Sequence, residues 1–471
     1  MLKLRIKLID IPRLTSLLKA LNIIALVMLW INMSILEEYL KLTPNSRRIY
    51  ARASKVFPSG STRAPFFYKP YPVYMVRAQG CRIWDVDGRE YIDYVNNMGP
   101  LILGHRHPKV VEAVKAQMDS YWMGAPSELE IELAEKILDA FPCMEKIQFA
   151  PSGTEAVMNV VRALRAFTGK DKIIMFEGAF HGTSDSVYPV GGIPKDLAQK
   201  IILVPFNNFT VFEEVFKKNK DDLAMVLVEP ILNGHGGIPP RNGFLKAIRE
   251  LTETYGVPLA FDEIVTGFRL GRGGAQERFG VKPDMIALGK IIGGGFPLAA
   301  YAGTEEVMKA FSYPKINSIE VGAPKIPHGG TYNEHKIAIA AGLATLNELN
   351  QSVYEHLENV GQAIRNGLKE ICNDLKIKAQ VTGLSSMFHI HFTDEDIVDA
   401  RTARTGDPLL IRYYDLGMLN HGINLAKAHS SFCSTPMGKE EVETTLNAMR
   451  MTLESMRNLI RDIAPALVMN L

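Results

Sequence analysis

Residues 258–297 read PLAFDEIVTGFRLGRGGAQERFGVKPDMIALGKIIGGGFP, and two short apolar runs in this stretch end in charge. The first, 258–261, stops at Asp262-Glu263; the second, 285–288, stops at Gly289-Lys290, ahead of Ile291-Ile292-Gly293-Gly294-Gly295. Each run is too short for a helix and apolar throughout, the pattern of a strand covered on both faces. A carboxylate or an ammonium at the end of such a strand is costly to bury without a partner. A lysine there, before a glycine-rich turn, suits a desolvated amine poised as a nucleophile. A plain Asp262–Lys290 ion pair is the structural alternative.

Further runs of the same kind lie outward from this core, at 147–150, 172–176, 201–204, 224–229 and 299–302. Amphipathic stretches such as 154–167 and 244–255 separate several of them. This alternation predicts an α/β fold with a mostly parallel seven-stranded sheet over residues 101–333. Residues 33–100 carry hairpin signals, with Gln79-Gly80 and Asp87-Gly88 as turn pairs, and form the N-terminal segment of a smaller lobe. Residues 334–471 combine long helices (336–349, 353–375 and one from Lys439) with a strand at 386–392, and complete a smaller α+β domain. Residues 1–32 stand apart. Their apolar run, 21–33, follows five basic residues but lacks a small-residue cleavage site and is short for a membrane span. The expectation is that translation begins at Met33 and that 1–32 is not part of the fold.

Composition narrows the function. With 53 Lys+Arg against 51 Asp+Glu the net charge is +2, which leaves no basic excess for a nucleic-acid backbone. The 4 cysteines are far apart and form no CxxC pair, excluding a disulfide scaffold and a zinc ribbon and pointing to a reducing, cytoplasmic setting. There is no GxGxxG at the first strand–helix turn, no GxxxxGK[ST] and no HExxH. His105-x-His107 and His389-x-His391 have too few neighbouring ligands for a metal, so no metal is expected.

In open parallel sheets ligands sit beyond the carboxyl ends of the strands. After 147–150 comes Pro151-Ser152-Gly153-Thr154, opening a helix. Its free N–H groups and two hydroxyls suit a phosphate, although Ser152 can equally be an ordinary cap. After 172–176 come Phe180, a candidate stacking face that alone could be core packing, and His181. After 224–228 comes Glu229. A phosphate cradle, an aromatic plate, an aspartate and a buried lysine together are the parts that pyridoxal phosphate requires, the acid keeping its ring nitrogen protonated and the lysine attaching it.

The runs PSGTEAVMNVVRALRAFTGKDKI, FEGAFHG, VEPI, FDEIVTGFRLGRGGAQERFGVKPDMIALGKIIGGGFP and GGTYNEH resemble the class III pyridoxal-phosphate aminotransferases, in the branch of glutamate-1-semialdehyde 2,1-aminomutase and the β-amino-acid transaminases. The resemblance runs from about Pro44 to the C-terminus and implies the fold-type I architecture and a homodimer with shared active sites. It makes Lys290 the Schiff-base lysine, with Asp262 opposite the ring nitrogen. Ile264 and Phe180 take the two ring faces, with His181 and Glu229 beside the cofactor. Ser152, Gly153 and Thr154 form the phosphate cradle, and Thr331 reaches the phosphate of the second subunit.

The departures concern the substrate. Phe66, Met98, Gly234 and Pro327 stand where the aminomutase carries an arginine, a tryptophan, an asparagine and a tyrosine, with Asn233 adjacent to Gly234. Arg63 falls where β-amino-acid transaminases carry a carboxylate binder, and its neighbours Pro65, Phe66 and Phe67 suggest an apolar wall. In the other direction, 99–105 and 124–126 resemble the aminomutase. The leading expectation is therefore a transaminase moving an amino group from a carboxylate-bearing donor to a keto acid or aldehyde, through a pyridoxamine form. The alternative is the aminomutase; less favoured are a racemase or epimerase and a non-catalytic scaffold, against which the intact Lys290 argues.

Overall fold

The computed structural model describes residues 35–469 apart from 64, 65, 67, 122–124, 189, 318 and 428, so the apolar run at 21–33 lies outside the described residues. No described helix is long and apolar enough to cross a membrane.

After the helix Pro44–Ala53 come three strands, β1 (Met75–Gln79), β2 (Arg82–Asp85) and β3 (Glu90–Asp93). The central sheet follows: β4 (Lys146–Ala150), β5 (Lys172–Phe176), β6 (Ile201–Val204), β7 (Leu223–Val228), β8 (Leu259–Asp262), β9 (Met285–Leu288) and β10 (Ala299–Gly303). Its order is β4-β10-β9-β8-β7-β5-β6, and β10 runs antiparallel to both of its neighbours while the other pairings are parallel. Strands β7, β8, β9 and β10 are buried at every residue, which is why they appear in sequence as unbroken apolar runs.

The smaller lobe is built from both ends of the chain. Strand β13 (Ile423–Asn424) adds in parallel to β3, and β11 (Gln380–Thr382), β12 (Met387–His391) and β14 (Ser431–Phe432) form a second, three-stranded sheet. The long helices Gln351–Asp374 and Lys439–Ile463 pack together beside it. The helix Lys336–Glu348, assigned to the C-terminal lobe on sequence, packs instead against Pro108–Ser120 and the turn Lys290–Gly293 of the large lobe. That contact is close: a Cβ at Gly342 would run into the carbonyl oxygen of Ile292. The helix thus forms the floor under the turn that carries Lys290.

Candidate active site

Register places the charged strand ends side by side. Val228 pairs with Phe261, Phe261 with Ile286 and Asp262 with Ala287, so Glu229, Asp262 and Lys290 leave three adjacent parallel strands at the same edge. Parallel strands in register bring residues far apart in sequence to one line. Strand β5 delivers Phe180 and His181 to this edge, and β4 delivers Ser152–Thr154. A cavity of about 1080 Å³ opens there, and Lys290, Asp262, Glu229, Phe180, His181 and Ile264 all line it. Ser152, Gly153, Thr154 and Arg63 line it as well.

Asp262 is 3% exposed. Its Oδ2 accepts from His181 Nδ1 at 2.8 Å and its Oδ1 from the Ile264 amide at 3.1 Å. A carboxylate can only accept, so the imidazole donates through Nδ1. No ion pair within 4.0 Å joins Asp262 to Lys290 among the described residues; the structural alternative is not what the fold builds. The other ring nitrogen, His181 Nε2, is buried without a partner.

Glu229 is also buried. Its Oε2 accepts from the Phe180 amide at 3.2 Å and its Oε1 from Asn233 Nδ2 at 3.2 Å. Burial first, then the nearby Asp262 charge, push its pKa up to about 7. Lys290 moves the other way: burial lowers the pKa of its amine, partly offset by Asp262 and Glu229. The residue sits at φ +51, a left-handed conformation that non-glycine residues enter at a cost of about 1–2 kcal/mol. Strain of this kind collects at functional sites, where the surrounding packing enforces it.

The neighbouring residues suit a flat, phosphate-bearing ligand. Ser152 caps the helix Gly153–Thr168, accepting from the Glu155 amide at 3.3 Å, and lines the cavity as well. Gly153 and Thr154, at the start of that helix where amides lack intrahelical partners, line the cavity. Ile264 is wedged between two glycines; a Cβ would come 3.1 Å from it at Gly153 and 3.0 Å at Gly289. Phe180 is 53% exposed and meets Tyr188 edge-on at 6.0 Å, which makes it a wall of the cavity rather than core packing. A buried amine without an anion, a carboxylate anchored by a histidine, an aliphatic wedge and a capped helix start fit pyridoxal phosphate.

Arg63 donates through Nη1 to Asn97 Oδ1 at 2.6 Å and lies 4.6 Å above the Phe66 ring. Phe66 therefore supports the guanidinium, while Pro65, Phe67 and Gly124 lie outside the described residues. Thr331 is exposed and does not line this cavity. One histidine of each pair has an ordinary partner: His105 meets Asp93 at 2.8 Å and His391 meets Thr382 at 2.8 Å. No metal-ligating cluster occurs among the described residues.

Sequence reasoning missed several cavity residues, among them Asn97, Asp415, Lys427 and His429. Asp415 carried a signal, a single acid on the apolar face of Pro408–Asn420; the others carried none.

The family model for class-III aminotransferases matches residues 66–450. The chain is similar to the glutamate-1-semialdehyde 2,1-aminomutase of Methanothermobacter thermautotrophicus, 39% identical over 427 residues, covering 88% of this chain and 100% of that one. Its counterpart in Methanocaldococcus jannaschii is 37% identical over 427 residues, covering 87% and 98%. Among solved structures it is similar to an omega-transaminase from Sphaerobacter thermophilus, with TM-score 0.82, 35% identity and coverage of 88% and 98%. A β-phenylalanine aminotransferase from Variovorax paradoxus aligns with TM-score 0.83, 28% identity and coverage of 91% and 99%.

Proposed function

Because this chain belongs to the class-III aminotransferase family and is a pyridoxal-phosphate-dependent enzyme, we propose that it moves an amino group on a carboxylate-bearing substrate. The observation that carries this reading is the in-register line of Glu229, Asp262 and Lys290 at the cavity floor. When bound, the cofactor supplies an electron sink for breaking bonds at the amino-bearing carbon.

The chain's own groups do the rest. Lys290 holds the cofactor and then moves a proton at its Nζ, for which a lowered pKa is an advantage. Asp262, steadied by His181, would keep the cofactor's ring nitrogen protonated. The Gly153–Thr168 helix start would take the phosphate, and Ile264 and Phe180 would shield the ring from water. Arg63 orients a substrate carboxylate. Thr331, exposed in the single chain, reaches the phosphate held by a second copy in a homodimer. The free cysteines support a reducing, cytoplasmic setting.

Two forms of the transfer share these parts. The intramolecular one, in which amino and carbonyl groups exchange between neighbouring carbons of glutamate-1-semialdehyde, was second on sequence and has the better support from the curated relatives. The intermolecular one is supported by the similar omega-transaminase and by the Phe66, Met98, Gly234 and Pro327 departures. Incubating the holoenzyme with glutamate-1-semialdehyde and no second substrate separates them. Conversion to 5-aminolevulinate establishes the first; inertness there, with turnover of an amino donor plus a keto acid, establishes the second.

A further inference from the structure

Arg269, in the turns that follow β8, is 1% exposed and does not line the cavity. Its hydrogen-bond partners are all neutral: Nη1 donates to Ser386 Oγ at 2.9 Å and to the Cys433 carbonyl at 3.4 Å, and Nη2 donates to the Gly99 carbonyl. The guanidinium also lies 4.9 Å from the centre of the Phe432 ring, and no carboxylate pairs with it among the described residues. Its Nε is buried with no partner at all. A cation buried without an anion is costly. Burial pushes this pKa down only to about 10, so the charge is present near neutrality. The groups Arg269 holds are those packed on Lys290. A Cβ at Gly99 would stand 3.4 Å from the Phe432 ring and 3.6 Å from Lys290 Cδ, and Gly99 keeps φ +105, a conformation open to glycine. Arg269 thus reaches the lysine stem through one carbonyl and one ring.

We propose that Arg269 is a positioning residue for Lys290, acting on its amine by contact, through Gly99 and Phe432, and by its unmatched like charge. The groups around that amine divide by sign. Asp262 and Glu229 raise its pKa, Arg269 and Arg63 lower it, and His429, on the segment before β14, senses its charge. Of the two arginines, Arg63 lines the cavity and can be neutralised by a substrate acid, whereas Arg269 is sealed from it and keeps its charge whatever the cavity holds. A neutral amine aimed into the cavity is the form that attacks an aldehyde. This rests on the reading that Lys290 is the lysine that takes the cofactor.

The test follows capture of pyridoxal phosphate by the full-length apo chain, through the visible absorbance of the lysine adduct, which forms with loss of water. It is run against pH for wild type, Arg269→Met, Arg269→Lys and Phe432→Leu, with denaturant midpoints to confirm that each is folded. Arg269→Met should move the capture midpoint up by roughly 0.5–1 pH unit, the direction for loss of a like charge. Arg269→Lys keeps the charge and should stay at the wild-type midpoint. At plateau pH, where the amine is neutral throughout, all three variants should capture roughly 10- to 100-fold more slowly, the effect of a misplaced reacting group. Phe432→Leu should slow capture with its midpoint unchanged, and it carries the test should neither Arg269 variant fold. A midpoint that is unchanged or lower in Arg269→Met, or a wild-type plateau rate in Arg269→Lys and Phe432→Leu, overturns the proposal. Lys290→Ala reads the underlying assignment separately. An adduct that still forms there overturns that assignment and this proposal together; no adduct there supports the assignment, and a failure in the other variants then falls on Arg269 alone.

Discussion

His181 and Asp262 are joined at 2.8 Å in a fully buried pair, and the ring nitrogen of His181 that faces away from the aspartate has no partner. The histidine holds one oxygen of the carboxylate and the Ile264 amide the other, which fixes the direction in which Asp262 faces the cavity. His181→Ala should therefore act through Asp262. We expect kcat to fall roughly 10- to 100-fold, the worth of one hydrogen bond to a buried charge, with KM for the amino donor little changed. A drop in KM affinity with kcat intact would refute that positioning role.

Lys290 should be the residue labelled when the holoenzyme is reduced with borohydride and mapped by peptide mass, and Lys290→Ala should lose at least roughly 10³-fold in turnover, in the range of general acid–base contributions. The pH dependence has a definite sign. The neutral amine is the nucleophile, and burial lowers its pKa, so cofactor capture by the apo chain should reach its plateau below the ordinary lysine range. The Glu229 charge raises that pKa, so Glu229→Gln should shift the capture curve to lower pH still. A shift to higher pH would contradict the electrostatic assignment.

The Ile264 wedge between Gly153 and Gly289 is tested by filling it. Gly153→Ala places a methyl 3.1 Å from the Ile264 side chain, which lines the cavity and must then shift. Overpacking of this kind costs about 1–3 kcal/mol, so cofactor affinity measured by absorbance titration should weaken about tenfold. Pairing the change with Ile264→Val should recover most of the loss. Equal weakening in the single and double variants would mean that Ile264 is not the group displaced.

Glu263, next to Asp262 in sequence, points away from the cavity and accepts from Thr266 Oγ1 and the Ala275 and Gln276 amides. Burial outweighs those bonds and pushes its pKa up to about 7. A raised carboxyl pKa means that the folded state holds its proton where the unfolded chain has lost it. Stability from this group is therefore full below the ordinary value of 4.5 and falls as pH rises toward about 7. Denaturant midpoints measured between those limits should decline in wild type and decline less steeply in Glu263→Gln. Identical slopes would rule the group out.

The strands of the sheet were legible to within a residue at most of their ends because burial on both faces leaves short, unbroken apolar runs. Their order was not legible. Nothing local tells β10 to insert antiparallel between β4 and β9, or β13 to join β3 across more than three hundred residues of chain, since both pairings depend on packing partners distant in sequence. The site divides in the same way. Lys290 and Asp262 stood out because a charge ending an apolar run is costly wherever it lies. Asn97 and Lys427 are ordinary loop residues until the fold sets them against Arg63 and Tyr68.

Arg63 carries the prediction about the substrate's acid group. Its guanidinium lines the cavity, rests 4.6 Å above Phe66 and spends only one donor, on Asn97, with no carboxylate paired to it among the described residues. A guanidinium has five donors in a planar fork that matches a carboxylate in two parallel bonds. Arg63→Ala should raise KM roughly 10- to 100-fold for carboxylate-bearing donors such as β-alanine and β-phenylalanine, the range for charge-assisted hydrogen bonds. KM for 1-phenylethylamine, which lacks the carboxylate, should stay within about twofold of wild type. Arg63→Lys keeps the charge but not the fork, and should recover only part of the loss. Equal changes for donors with and without a carboxylate would show that Arg63 shapes the loop rather than binding the acid.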